Sequence, residues 1–77
     1  MLTLTLKSEK AQIERDIQVN PEQKIKDTLH ILQEAGLFLG IEIEQVTIKS
    51  LRRGLCLDKE ENYTQQSVYT GDILDLN

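Results

Sequence analysis

The chain has no tryptophan, one phenylalanine and two tyrosines among its 77 residues, so it lacks the aromatic platform on which single-stranded nucleic acid stacks. Positive charge is also in deficit. Nine Lys and Arg stand against thirteen Asp and Glu, a formal net charge of −4, which repels phosphate backbones and anionic membranes at long range. Cys56 is the sole cysteine; it cannot form an internal disulfide and has no companion ligands for zinc. Without an activating neighbour it reads as a small apolar filler or a surface thiol rather than a nucleophile. His30 is likewise alone, which favours a structural or solvent-facing role over chemistry.

There is no glycine-rich phosphate loop, and Ser8, Ser50 and Ser67 have no histidine at any motif spacing. Asp58, Glu60 and Glu61 form a charged stretch that is expected to be solvated rather than to bind calcium or work as an acid–base pair. No catalytic residue, cofactor or metal is therefore expected. No apolar run approaches the roughly eighteen residues of a membrane span. The beginning Met1-Leu2-Thr3-Leu4 lacks the basic-then-apolar layout of a secretory signal. The expectation is a soluble cytoplasmic protein that does not insert into membranes.

What is present is a compact aliphatic pattern. A chain this short supports one domain, spanning 1–77, that buries roughly 60% of the surface its unfolded form exposes. Leu2, Leu4 and Leu6 alternate with Thr3, Thr5 and Lys7, as in a strand covering a core on one side. After the polar break Ser8 to Ala11, Ile13, Ile17 and Val19 call for a second strand paired back on the first. Arg15 interrupts that parity, so either a bulge shifts the register or its stem lies along a sheet edge with its charge in water.

Asn20-Pro21-Glu22-Gln23 has the composition of a helix start: a capping Asn, a Pro for the first turn, and Gln three residues beyond the cap. A cap a few residues later is the alternative. Ile25, Leu29 and Leu32, with Thr28 and Ala35, fall on one helical face. Gly36 suits a left-handed closing residue, with Leu37 beyond it making the accompanying hydrophobic contact. Residues 37 to 44 read as a connection with partly buried side chains. Val46 to Lys49 is a strand, Leu51-Arg52-Arg53-Gly54 a turn, and Leu55-Cys56-Leu57 a short strand with Leu55 and Leu57 inward. Tyr63 and Val68 are expected to pin a loop or short helical turn to the core. Thr70-Gly71-Asp72 then turns the chain into a last strand with Leu74 and Leu76 inward.

Hairpin, helix, two strands, compact loop and final strand, with the first and last strands side by side, make an α+β fold of the β-grasp kind. It is expected to be a mixed sheet of four to five strands packed on one helix. The pattern resembles ubiquitin from Met1 to Leu76. More narrowly, Val46-Thr47-Ile48-Lys49, the turn at Gly54 and the ending Val68 to Leu76 with its Gly-Asp-Ile-Leu element resemble the small bacterial ubiquitin-like proteins of the YukD/EsaB family. That resemblance implies a cytoplasmic accessory or regulatory component of a type VII secretion system in Gram-positive bacteria. Its partners would be membrane or cytoplasmic proteins of the apparatus.

A conjugated modifier or sulfur carrier working with an adenylating enzyme needs a flexible diglycine carboxy terminus. The ending Leu76-Asn77 lacks one, so a ThiS-like or MoaD-like carrier is the alternative rather than the expectation. A third possibility is a stand-alone regulatory domain acting as a homodimer. Two surfaces are candidates for protein binding. Lys49, Arg52 and Arg53 cluster around one turn, where they either dock an acidic partner or merely solubilise a hairpin tip. Phe38 either anchors a partner or is buried over the helix end. Ubiquitin's recognition patch is apolar and centred on an outward residue of its third strand; the matching positions here, Thr47 and Lys49, are polar, so ubiquitin receptors are not expected to bind.

Overall fold

The computed structural model describes residues 1–37 and 41–77. The alternation in β1 (Leu2–Ser8) buries Leu4, Leu6 and Ser8 and leaves Thr3 outside. β2 (Ile13–Val19) runs antiparallel to it in unbroken register, from Leu2 opposite Val19 to Ser8 opposite Ile13. No bulge accommodates Arg15. It lies opposite Leu6 on an edge strand and is exposed, because an edge lets a long aliphatic stem carry its charge into water.

The helix α1 spans Ile25–Glu34, with Lys24 as its capping residue and no side-chain cap. This selects the later of the two expected starts over the one at Asn20. Asn20 instead accepts a hydrogen bond from the backbone N–H of Glu22, at 2.9 Å, and closes a local turn. The free N–H groups at a helix start need acceptors from somewhere. Here the N–H groups of Ile25 and Lys26 donate to the carbonyls of Glu61 and Lys59, at 3.1 and 3.0 Å, so a distant loop supplies the cap. The other end follows the sequence expectation. Gly36 has φ +92°; its N–H donates to Gln33 O and that of Leu37 to Leu32 O, both at 3.0 Å, the paired closure that favours glycine. Leu37 packs against the core.

Ile25, Thr28 and Leu29 form the buried helix face; Ala35, expected on it, sits past the last turn and is exposed. Ile41, Ile43 and Val46 are buried, more deeply than a partly covered connection would be. β3 (Ile48–Ser50) begins later than Val46, although Thr47 and Asn77 exchange backbone hydrogen bonds at 2.7 and 2.9 Å. β4 (Leu55–Leu57) pairs antiparallel with β3. Leu57 packs on the core, but Leu55, expected inward, is 51% exposed. It shares Leu57's parity, yet it is the first residue of an edge strand, where the described residues leave half of it uncovered.

A single 3₁₀ turn at Thr64–Gln66 lies between Tyr63 and Val68, both 1% exposed. β5 (Ile73–Leu76) follows, parallel to β1 and antiparallel to β3. The sheet order is β2-β1-β5-β3-β4. Leu4, Leu6, Leu74 and Leu76 therefore line the middle of one interior, with Leu2 packed at its margin. Burying each such side chain contributes about 1.5–3 kcal/mol. None of the described helices is long and apolar enough to cross a membrane.

Candidate functional site

The basic turn between β3 and β4 is held from beneath by two polar residues that the sheet encloses. Ser50 is 0% exposed and Asp72 2%. The Ser50 hydroxyl donates to Asp72 Oδ2 at 2.6 Å. Asp72 Oδ1 accepts from the backbone N–H groups of Ile73, at 2.8 Å, and Arg52, at 3.4 Å. Ser50 Oγ in turn accepts from Arg53 N–H at 3.3 Å, and Ser50 O from Gly54 N–H at 2.8 Å. A buried carboxylate persists only when donors surround it. Here those donors are the Ser50 hydroxyl at the end of β3, the Ile73 N–H of β5 and the Arg52 N–H of the turn, which together tie the turn to β5.

The approach to β5 requires Gly71. Its φ is +94° and an added Cβ would lie 3.2 Å from Arg52 Nη1, so another residue there would be strained and would press on the guanidinium. The Gly-Asp-Ile-Leu element thus has a folding reason for its first two residues.

Lys49, Arg52 and Arg53 are all exposed, and the two arginines are brought together with Ser67, Tyr69, Thr70 and Asp72 around an open groove. Arg52 Nη1 donates to Thr70 O at 3.4 Å and Arg53 Nη1 to Ser67 O at 3.2 Å. Each guanidinium has five N–H donors, so most remain unspent. The ion pair formed among the described residues is Lys26–Glu60, at 2.7 Å; Lys49, Arg52 and Arg53 form none, although Asp75 stands opposite Lys49 across β3 and β5. Leu51 lies beside Ile73, its N–H donating to Ile73 O at 2.9 Å. Both project from the outer sheet face, 43% and 38% exposed, and Tyr69 is 66% exposed. Sequence reasoning missed these three because they come from two separated segments that only the β3–β5 pairing joins.

The remaining candidates separate from this corner. Phe38 lies outside the described residues. Cys56 is an exposed thiol, which selects the surface alternative, and His30 is exposed on α1. Among the described residues no three His, Cys, Asp or Glu side chains group so as to hold a metal ion.

In the charged stretch 58–61 Asp58, Glu60 and Glu61 are exposed, as expected, while Lys59 and the backbone are built into the fold. Lys59 Nζ donates to Ile43 O and Glu44 O, at 2.7 and 3.0 Å. The Gln66 side-chain amide bonds both backbone groups of Asp58, accepting at 2.6 Å and donating at 2.8 Å. The hydrogen bond and attraction between Lys26 and Glu60 raise the lysine's pKa and lower the carboxylate's. Beside them, burial pushes the Tyr63 hydroxyl up to about 12, opposed by a hydrogen bond with Thr28.

No protein-family model matches the chain, and no curated protein matches it. Solved structures do. The ubiquitin-like domain of Plasmodium falciparum Dsk2 superposes with a TM-score of 0.74 at 21% identity, over 97% of this chain and 93% of that one. A protein designed de novo on the basis of ubiquitin gives 0.75 at 18% identity, over 99% and 85%. ATBAG1, solved in complex with HSP70, gives 0.75 at 13% identity; the match covers all of this chain and 40% of that one. At these identities the likeness establishes the fold, which is a ubiquitin-like β-grasp of the α+β class.

Proposed function

We propose that this chain is a protein–protein interaction module without catalysis of its own, serving as a cytoplasmic accessory or regulatory component of a Gram-positive type VII secretion system. The observation that carries the module reading is the corner just described: cations that form no ion pair among the described residues, beside exposed apolar side chains, on a turn fixed by buried polar contacts. The ubiquitin-like domain of Dsk2 and the HSP70-bound ATBAG1 share the fold and are consistent with a binding role. The secretion assignment rests on the resemblance of Val46 to Lys49, Gly54 and Val68 to Leu76 to the YukD/EsaB proteins. Since Gly71 and Asp72 are also required by the turn itself, most of the specific weight falls on the rest of that segment.

The test is a native pull-down from cells expressing the secretion system. Recovery of its membrane or cytoplasmic subunits supports the assignment; their reproducible absence removes it. Incubation with an adenylating enzyme and ATP addresses the carrier alternative, for which no carboxy-terminal adenylate is expected. Mass measurement in solution addresses the homodimer.

A further inference from the structure

We propose that the corner formed by Lys49, Leu51, Arg52, Arg53, Tyr69 and Ile73 is the docking surface of this domain, and that its occupant is an acidic peptide segment carrying apolar side chains. The inference deepens the interaction-module reading and rests on it. Charge complementarity comes first. Lys49, Arg52 and Arg53 gather a third of the chain's nine basic residues on a protein that is otherwise acidic; none forms an ion pair among the described residues, and the one carboxylate set opposite them across the ladder is Asp75, facing Lys49. The Asp72 carboxylate at the groove floor offsets part of this charge but makes no hydrogen bond to either guanidinium; its oxygens are taken by Ser50, Ile73 and the Arg52 backbone.

Apolar exposure coincides with that charge. Met1, Ile31, Leu51, Leu55, Tyr69 and Ile73 are the large hydrophobics exposed among the described residues, and three of them lie at this corner. Elsewhere the outer face of the central strands presents Thr3, Thr5, Lys7 and Asp75, so the patch is bounded. A segment with carboxylates on the guanidiniums and aliphatic side chains against Leu51 and Ile73 satisfies both features, and Arg–carboxylate contacts supply geometric specificity. The turn is already ordered by Ser50 and Asp72, so little conformational freedom is lost on docking.

Other occupants fit less well. A two-fold contact with a second copy would set this corner against itself and oppose like charges. A nucleic acid would meet the repulsion of the net −4 charge and find one aromatic at the corner.

The experiment is a titration of the labelled protein, followed by amide chemical shifts, with a short peptide of alternating glutamate and leucine. Control peptides carry glutamine for glutamate or serine for leucine. Saturable shifts confined to residues 49–55 and 67–73 are expected, weakening as salt screens the charges and lost with either control peptide. Leu51→Ser and Arg53→Glu, with unchanged amide spectra elsewhere as the check on folding, should each weaken binding by about tenfold or more. The proposal is overturned by absent or non-saturable shifts, by shifts centred elsewhere, or by equal binding of the glutamine peptide. Corner shifts that grow with protein concentration in the absence of peptide, showing a second copy, would also overturn it. So would tighter binding of a single-stranded oligonucleotide. Pull-downs with the wild type and the two variants keep the two proposals apart. Partners captured equally by all three would remove the corner and leave the module. A corner that binds the peptide while the wild type captures no secretion subunit would remove only the secretion assignment.

Discussion

Two of the chain's charged loops, the basic Leu51 to Gly54 and the mainly acidic Asp58 to Glu61, are treated by the fold in opposite ways. In the second, the backbone and the lysine are engaged internally. The carbonyls of Lys59 and Glu61 take the first helical N–H groups, the Lys59 ammonium takes two carbonyls, and Glu60 pairs with Lys26. In the first, only the backbone is consumed, by Ser50 and Asp72, and the guanidiniums make one carbonyl contact each. Charge in a loop therefore does not distinguish structure from binding. The distinction lies in whether the fold itself supplies the partner.

The most severe way to break this comparison is to remove the support of the basic turn. Asp72→Ala leaves the enclosed Ser50 hydroxyl and the Arg52 and Ile73 N–H groups without their acceptor, and buried groups left unpaired cost about 1–3 kcal/mol each. A loss of roughly 3 kcal/mol in urea unfolding is expected, with amide shifts propagating through residues 50–54. Asp72→Asn, which keeps one oxygen, should lose less. Equal stability of wild type and Asp72→Ala would show that the turn does not depend on the enclosed carboxylate.

At the other loop the corresponding probe is pH. Tyr63 has its folded pKa raised from the ordinary value of 10.0 to about 12, so its contribution is fully present below pH 10 and is lost as pH rises through the folded value. Stability is expected to fall between pH 10 and 12 by at most about 1.4 kcal/mol per pH unit. Tyr63→Phe should remove this part of the decline while lysine titration leaves the remainder. Parallel profiles for the two proteins would mean that the hydroxyl is not held in its neutral form by the fold.

Legibility in the sequence followed the range of the interactions. The alternation of β1, the closing Gly36 and the pinning pair Tyr63 and Val68 depend on near neighbours or on simple burial, and all were readable. The helix start was not, because its acceptors lie at residues 59 and 61 and a side-chain cap at Asn20 was only the nearest candidate. Leu55 failed for a related reason: parity assigns a face, but covering that face is a tertiary matter. Asp72 after a glycine looks like an ordinary solvated turn residue until β3 brings Ser50 against it. The cations of the candidate corner were visible through adjacency, whereas Tyr69 and Ile73 joined them only through strand pairing.

The smallest expected effect is also the most discriminating, since it compares one cation from each loop. Lys59→Met keeps an aliphatic stem while removing the ammonium, so Ile43 O and Glu44 O lose the donor that joins the 41–46 segment to the helix start. A loss of about 1 kcal/mol is expected, the net value of ordinary intramolecular hydrogen bonds. Arg53→Met removes one 3.2 Å contact to Ser67 O at an exposed site. Stability there should change by less than about 0.5 kcal/mol, as for most surface substitutions. Paired urea midpoints measure the difference directly. If Arg53→Met proves as costly as Lys59→Met, the arginine belongs to the fold as fully as the lysine does, and the contrast between a consumed loop and an available one disappears.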